Sequence, residues 1–264
     1  MLNVSIVIYK HLLSEVESLI LSLQQSKVVE NIYIVDNSPV PSNDFKREGL
    51  IYIFTGKNLG YGAGHNIAIR KSILNNIAFH LVVNPDITLE PCVLIEMLTY
   101  MQKNPEIGHV MPKIVYPNGD IQYLCKLIPT PVDLIFRRFL PARWTEKRMR
   151  KFEMRDTGYA EIMDVPYLSG CFMLLRTEAL KKVGLFDERF FLYPEDIDLT
   201  RRIGEHYRTV FYPLVSVVHH HAKSSYQSFS MMIVHMWNLK KYFNKWGWIF
   251  DKKRREINHK HTKF

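Results

Sequence analysis

Cysteine is scarce in this chain. Three residues among 264, Cys92, Cys125 and Cys171, stand far apart with no C-x-x-C pair. That excludes a disulfide framework and a zinc site, and it fits a reducing compartment. Long apolar runs are missing as well: no window offers the roughly 18 consecutive apolar residues of a spanning helix. No basic-then-apolar leader opens the chain, and there is no internal repeat or low-complexity segment. The expected location is the cytosol, with at most a resting contact on a membrane surface.

Enough is present for a substantial core, since 47% of residues are hydrophobic. The length allows one large α/β domain or two small ones. The net charge of +9 is unevenly placed. Nine Lys/Arg between Lys240 and Lys263 face only Asp251 and Glu256, and eight between Arg137 and Arg155 face only Glu146 and Glu153. The remainder is acidic. Two basic patches on an acidic body suit an anionic membrane surface, a phosphorylated substrate or nucleic acid. No nucleic-acid-binding motif accompanies them, so nucleic acid is not an expected partner.

Short β-branched runs at 3–9, 32–35, 50–54 and 79–83 read as buried parallel strands. Between them lie two helices. One is opened by a capping box of Ser14 and Glu17 and buries Val16, Leu19, Ile20 and Leu23; the other runs from Ala63 to Asn75. Such alternation predicts an α/β fold, a mostly parallel sheet flanked by helices, with ligands at the carboxyl ends of the strands. A further helix is expected near Leu94–Met101 and a turn at Tyr116–Asp120. The basic segment 137–155 reads as an insertion over the sheet. Val165–Arg176 reads as one strand, Thr177–Val183 as a helix stopped by Gly184. Thr209–Tyr212 and Val215–Val218 read as two more strands, ending at His219-His220-His221. Met232, Met236, Leu239, Phe243, Trp246 and Phe250 share one helical face, with Lys240, Lys241 and Lys245 off it. That helix either packs on the domain or lies on a membrane surface.

Several motifs sit at the strand ends. Gly60-Tyr-Gly-Ala-Gly64 lacks the third glycine of a dinucleotide fingerprint and follows the wrong strand. It is a tight turn, or a loop presenting N–H groups to a diphosphate. Asn84-Pro85-Asp86 offers a carboxylate that makes a turn or binds a divalent cation, with His219 as a distant second ligand. Gly184 to Arg202 carries Asp187, Glu188, Glu195, Asp196 and Asp198 among Phe186, Phe190, Phe191, Leu192 and Tyr193. Its Glu195-Asp196 pair opens a helix by dipole preference, or is a desolvated general base.

Taken in order, Val35-Asp36-Asn37-Ser38, Asn58-Leu-Gly-Tyr-Gly-Ala-Gly-His-Asn66, Asn84-Pro85-Asp86, Ser169-Gly170, the Gly184–Leu199 stretch and Val218-His219 resemble the family 2 glycosyltransferases of the GT-A fold. Within that family the pattern is similar to the bacterial rhamnosyltransferases of O-antigen (lipopolysaccharide) assembly. The resemblance spans roughly residues 3 to 225. It implies a catalytic domain over 1–225 and a basic amphipathic extension over 226–264. It implies a dTDP-L-rhamnose donor and a polyprenyl-diphosphate-linked N-acetylglucosamine acceptor, at the cytoplasmic side of the inner membrane with an anionic membrane surface as partner. Another nucleotide sugar, UDP- or GDP-hexose, is the alternative donor. Asp36 matches the acid that binds the base. Asn58, Gly60, Gly62, His65 and Asn66 match the loop lining the nucleotide, and Asn84, Ser169 and Gly170 complete that surface. Asp86 matches the last acid of a metal-binding D-x-D element whose first acid is here Asn84. His219 matches a histidine of the metal or diphosphate site, served by Mg2+ or Mn2+. The family often follows it with two glycines where this chain has His221 and Ala222. Asp196 matches the catalytic base, with Glu195 orienting the acceptor.

Overall fold

The computed structural model describes residues 1–135, 142–220 and 229–262. His221 and Ala222, and the 136–141 part of the basic segment, lie outside them. Strand β1 (Leu2–Ile8) is buried on both faces, as a strand needs to be at the middle of a helix-covered parallel sheet. After helix α1 (Leu13–Gln25) come β2 (Val29–Asp36) and β3 (Ile51–Phe54), then α2 (Tyr61–Leu74) and the wholly buried β4 (Phe79–Val83). These four strands run parallel in the order β3-β2-β1-β4. Their carboxyl ends carry Asp36, Gly56–Gly60 and Asn84–Asp86 on one rim of the sheet, as the alternation predicts.

The second half is mixed. Next in the chain come β5 (Ile87–Thr88), α3 (Pro91–Lys103), β6 (Ile107–Val115), β7 (Cys125–Lys126), α4 (Pro131–Leu134) and α5 (Ala142–Phe152). They are followed by β8 (Met163–Asp164), β9 (Tyr167–Leu168), β10 (Phe172–Arg176), α6 (Thr177–Val183), α7 (Glu195–Ile203) and β11 (Arg208–His219). Among the described residues the main sheet has nine strands, continuing β4-β10-β6-β11-β5, with β8 also on β11. β10 is antiparallel to both β4 and β6, while β6 and β11 are parallel. A separate ribbon pairs β7 with β9.

Four local expectations are corrected. The run 165–176 is two strands, broken at Ser169-Gly170, where the chain turns toward α7. The two strands at 209–218 are one, β11, whose register shifts between Tyr212 and Ser216 around Pro213, a residue with no amide to give the ladder. Helix α1 starts one residue before Ser14, and Glu15 rather than Glu17 caps it, accepting from Leu12 N at 2.7 Å. Glu17 instead meets Arg47 at 3.2 Å. The basic segment is not merely laid over the sheet, because α5 buries Met149 and Phe152 in the main core.

The C-terminal segment forms α8 (Phe229–Trp246) and α9 (Lys252–Lys260). Gly247, at φ 103°, ends α8, so Phe250 does not continue its face and is 88% exposed. Leu239, Tyr242 and Phe243 are buried against Phe190, Ile197 and Tyr167. Burial of Leu239 and Phe243 contributes about 1.5–3 kcal/mol each. A bidentate pair between Arg201 of α7 and Asp251, at 2.7 and 2.9 Å, fastens the turn before α9 to the helix that carries the acidic pair.

Candidate active site

Glu195 and Asp196 occupy the first turn of α7 and are 3% and 7% exposed. The aromatic density around them does what the sequence suggests: it desolvates them. Asp196 is well supplied with donors. Its Oδ2 accepts from Gly170 N at 2.9 Å and Tyr167 OH at 3.0 Å, and its Oδ1 accepts from Ile197 N at 2.8 Å. Glu195 Oε2 has no partner among the described residues. Burial raises both carboxyls, and the Asp196 charge pushes Glu195 further up. Of the pair, Asp196 is therefore the one that ionises and Glu195 the one that keeps its proton, since hydrogen bonds to the charged form favour it. The other acids serve the frame. Asp198 is bound by Arg202 at 2.8 Å, Lys245 at 2.6 Å and Trp246 Nε1 at 2.8 Å. Asp187 meets Arg189 at 2.5 Å and Lys245 at 2.9 Å, and Glu188 meets Arg70 at 2.6 Å.

The glycine loop clasps this acidic stretch. Gly60 has φ 87°, and a Cβ there would lie 2.1 Å from Phe191 O. Tyr61 N donates to that carbonyl at 3.0 Å, and a Cβ on Gly62 would strike Phe186 at 2.8 Å. The glycines thus let α2 approach the acidic loop. Gly60 N itself donates to Asn58 Oδ1 at 3.0 Å, so two amides at the start of α2 are spent internally. Asn66 is buried, bonded to Phe186 N, Phe186 O and Glu188. His65 is buried too, its Nδ1 2.7 Å from Ser5 Oγ, with a second contact from Ser5 Oγ to His80 at 2.8 Å. His65 and Asn66 hold the loop from behind.

On the other side Asp36 ends β2 with both oxygens engaged. Oδ1 accepts from Ser38 N at 2.8 Å, and Oδ2 accepts from Tyr52 OH at 2.6 Å. Burial, then the bond to Asp36, pushes the Tyr52 hydroxyl up to about 12. Oδ2 also accepts from Ser42 N at 3.4 Å, so of the two oxygens Oδ1 is the one that keeps a further lone pair. Asn84, Pro85 and Asp86 are partly accessible at the end of β4, where Asn84 N donates to Cys171 O at 2.9 Å. The pairing of β5 with β11 then brings Asp86 Oδ1 within 3.3 Å of His219 Nε2.

Gln122 sets which nitrogen of His219 faces Asp86. Its Nε2 donates to His219 O at 2.8 Å and Val115 O at 3.4 Å, both acceptors only. Its Oε1 therefore faces His219 Nδ1, at 2.9 Å, and must accept from an Nδ1–H. In the neutral ring the lone pair then lies on Nε2, toward Asp86. One carboxylate oxygen and one imidazole nitrogen converging in this way suit a divalent cation that takes its remaining ligands from phosphate and water. Among the described residues there is no group of three or more metal-binding side chains, so Asp86 and His219 would supply only part of a coordination shell.

The structure gathers these parts around Tyr61, whose hydroxyl donates to Gly170 O at 2.6 Å. Burial holds that phenol well above its ordinary value, with Glu195, Asp196 and Asp86 all close enough to add to the effect. Sequence reasoning missed Gln122, Tyr167 and Tyr52. Only Tyr167, two residues before the Ser169-Gly170 break, carried a local signal. Ser169 and Gly170, expected at the nucleotide, border the acidic pair: a Cβ on Gly170 would be 3.0 Å from Asp196 Cβ.

A mixed sheet with carboxylates at the ends of its parallel strands, facing a desolvated acid pair, is a GT-A-like arrangement. A family profile described as "Glycosyltransferase like family 2" matches residues 29–236, and the chain belongs to that family. The N-acetylglucosaminyl-diphospho-decaprenol L-rhamnosyltransferase of Mycobacterium tuberculosis is 30% identical over 182 residues, 65% of this chain and 59% of that protein. The match thus spans less than two thirds of the relative's length. Rhamnosyltransferase WbbL of Escherichia coli K12 is 26% identical over 206 residues, 74% of this chain and 72% of that one. Among solved structures, the Pyrobaculum calidifontis mannosyltransferase PcManGT in complex with GDP-Man and Mn2+ aligns with a TM-score of 0.58 at 14% identity. It covers 92% of this chain and 63% of that one, a likeness of fold.

Proposed function

We propose that the protein transfers L-rhamnose, with inversion, from dTDP-L-rhamnose to a polyprenyl-diphosphate-linked N-acetylglucosamine in O-antigen assembly. The catalytic domain is residues 1–225, closed by the 226–264 extension. The observation that carries the reading is Asp196: a buried carboxylate kept ionisable by three donors, in a family 2 chain whose relatives include rhamnosyltransferases. Asp196 takes the proton of the acceptor hydroxyl as that oxygen bonds to the anomeric carbon. The anomeric carbon–oxygen bond breaks on the opposite side, and its electron pair leaves with the nucleoside diphosphate. Asp86 and His219 would hold a divalent cation, which when bound neutralises charge on that leaving group. Glu195, kept protonated by burial and by its neighbour, is a hydrogen-bond donor for the acceptor sugar.

The test is transfer with dTDP-rhamnose and a lipid-diphosphate acceptor, run with and without chelator, beside UDP- and GDP-hexoses. Turnover of dTDP-rhamnose is expected, and Asp196→Asn is expected to abolish it with nucleotide binding near normal. Turnover of a UDP-hexose alone would overturn the donor assignment. Substantial activity in Asp196→Asn would mean that another group is the base.

A further inference from the structure

Helix α8 has a second face. Its inner side, through Leu239, Tyr242 and Phe243, is core. Ile233, Trp237, Lys240 and Asn244 follow at spacings of four, three and four, so they form one line on the opposite side. Ile233 is 54% exposed and Trp237 57%. Lys240 Nζ lies 5.0 Å over the Trp237 ring. Trp248 Nε1 donates to Asn244 Oδ1 at 2.8 Å, which carries the line into the turn before α9. There Trp248, Ile249 and Phe250 are 40%, 68% and 88% exposed. Lys252, Lys253, Arg255 and Lys260 follow, all exposed. Two of them face acids, Lys252 with Glu256 at 3.7 Å and Lys253 with Glu205 at 2.8 Å.

Five large apolar side chains in one stripe, bordered by cations, are costly to leave in water. We propose that the outer line of α8 and the 248–250 turn dock on an anionic lipid bilayer. Trp and Ile or Phe reach the acyl boundary of a bilayer while Lys and Arg meet its phosphates. A second copy of the chain is a poorer fit, since a twofold contact would set this cationic stripe against itself. No helix among the described residues is long and apolar enough to cross a membrane, so the contact is one of surface. The inner face of the same helix grips the acidic loop: Asn238 Nδ2 donates to Leu192 O at 2.9 Å and Lys241 Nζ to Arg189 O at 2.7 Å. Tyr193, just before Pro194-Glu195-Asp196, has its ring 5.2 Å from that of His235 on α8. Docking would thus set the acceptor side of the cleft at the lipid surface, a consequence that rests on the transferase reading above, although the docking itself does not.

Flotation of the full chain with phosphatidylglycerol–phosphatidylcholine vesicles, and with phosphatidylcholine alone, tests it. The protein is expected to float with the anionic vesicles, and Trp237→Ser/Phe250→Ser to lower that partition about 100-fold. The double variant is expected to keep its melting temperature and its transfer to a short-chain, water-soluble acceptor. Lys240→Glu/Arg255→Glu is expected to weaken binding to anionic vesicles and leave the phosphatidylcholine signal alone. A chain that ignores both vesicles, or a serine variant that floats like the parent, would overturn the proposal. So would light scattering that shows a dimer which the serine variant splits. Should no sugar donor be turned over while flotation still follows the stripe, the rhamnosyl-transfer reading fails and the docking surface stands.

Discussion

Replacing Asp251 by alanine is expected to be among the most damaging single changes far from the acidic pair. The side chains of Arg201 and Asp251 are 1% and 4% exposed. Removing one partner of a buried pair leaves an uncompensated charge and costs about 3–5 kcal/mol. Asp251 also caps α9, accepting from Arg254 N at 2.9 Å, and losing a cap costs about 1 kcal/mol. Together these give about 4–6 kcal/mol, a large part of the 5–15 kcal/mol that holds a typical domain together. Trp246, whose ring lies 4.0 Å from the Arg201 guanidinium, stays in place but cannot neutralise it. Urea unfolding followed by far-ultraviolet circular dichroism at neutral pH measures the loss. Asp251→Asn keeps a capping oxygen and should cost about 1 kcal/mol less. Arg201→Met/Asp251→Leu, which removes both charges and fills the space, should recover most of the stability. Burial works to raise the Asp251 carboxyl, but the Arg201 hydrogen bonds, the Arg254 N–H and the charges of both guanidinium groups together outweigh it, so its value in the fold lies below the ordinary one. The pair's contribution is therefore full above the unfolded carboxylate value and fades as pH falls through the depressed one. A loss under about 1 kcal/mol for Asp251→Ala would refute the claim that this pair fastens the C-terminal helices to α7.

Two more outcomes bear on the site. Gln122→Leu removes the acceptor that fixes the His219 tautomer, and is expected to weaken Mn2+ binding about tenfold by electron paramagnetic resonance titration; equal affinity in the two proteins would remove Gln122 from the candidate metal site. Glu195→Gln is expected to stabilise the fold increasingly as pH rises. The raised carboxyl favours folding only while protonated and opposes it once pH climbs past the unfolded value toward the folded one, so thermal melts from pH 5 to 9 should show a gap that widens; a constant gap would mean that Glu195 is not held protonated.

The parallel half of the sheet was legible because each of its strands is a short β-branched run with a polar residue where it ends. Asp36 and Asn84 fall on the rim for that reason alone. The antiparallel course of β10 was not, because an apolar run such as Phe172–Leu175 looks the same in either direction. The acidic pair could be read from the rings around it, whereas the roles of His65 and Asn66 could not. Both stand inside a motif, yet their side chains turn inward toward Ser5 and Phe186. Gln122 left no trace at all. Its meaning arises only when a turn after β6 meets a histidine 97 positions later. On α8 the apolar face was found correctly, but Phe250 was added to it by spacing that ignores the glycine at 247.

The position of β10 also bears on how the protein is made. The ribosome delivers β1 to β4 first, and they can assemble as they emerge, each strand adding to a parallel neighbour. The open side of β4, with Leu81 and Val83, then waits through some ninety residues until β10 arrives to cover it. An unpaired apolar edge of that kind is an aggregation hazard in a growing chain. The final fastening waits longer still, until Asp251 has left the exit tunnel to meet Arg201. A ribosome stalled anywhere before that point carries the parallel half of the sheet complete while α7, with its acidic pair, is not yet fastened to the turn before α9.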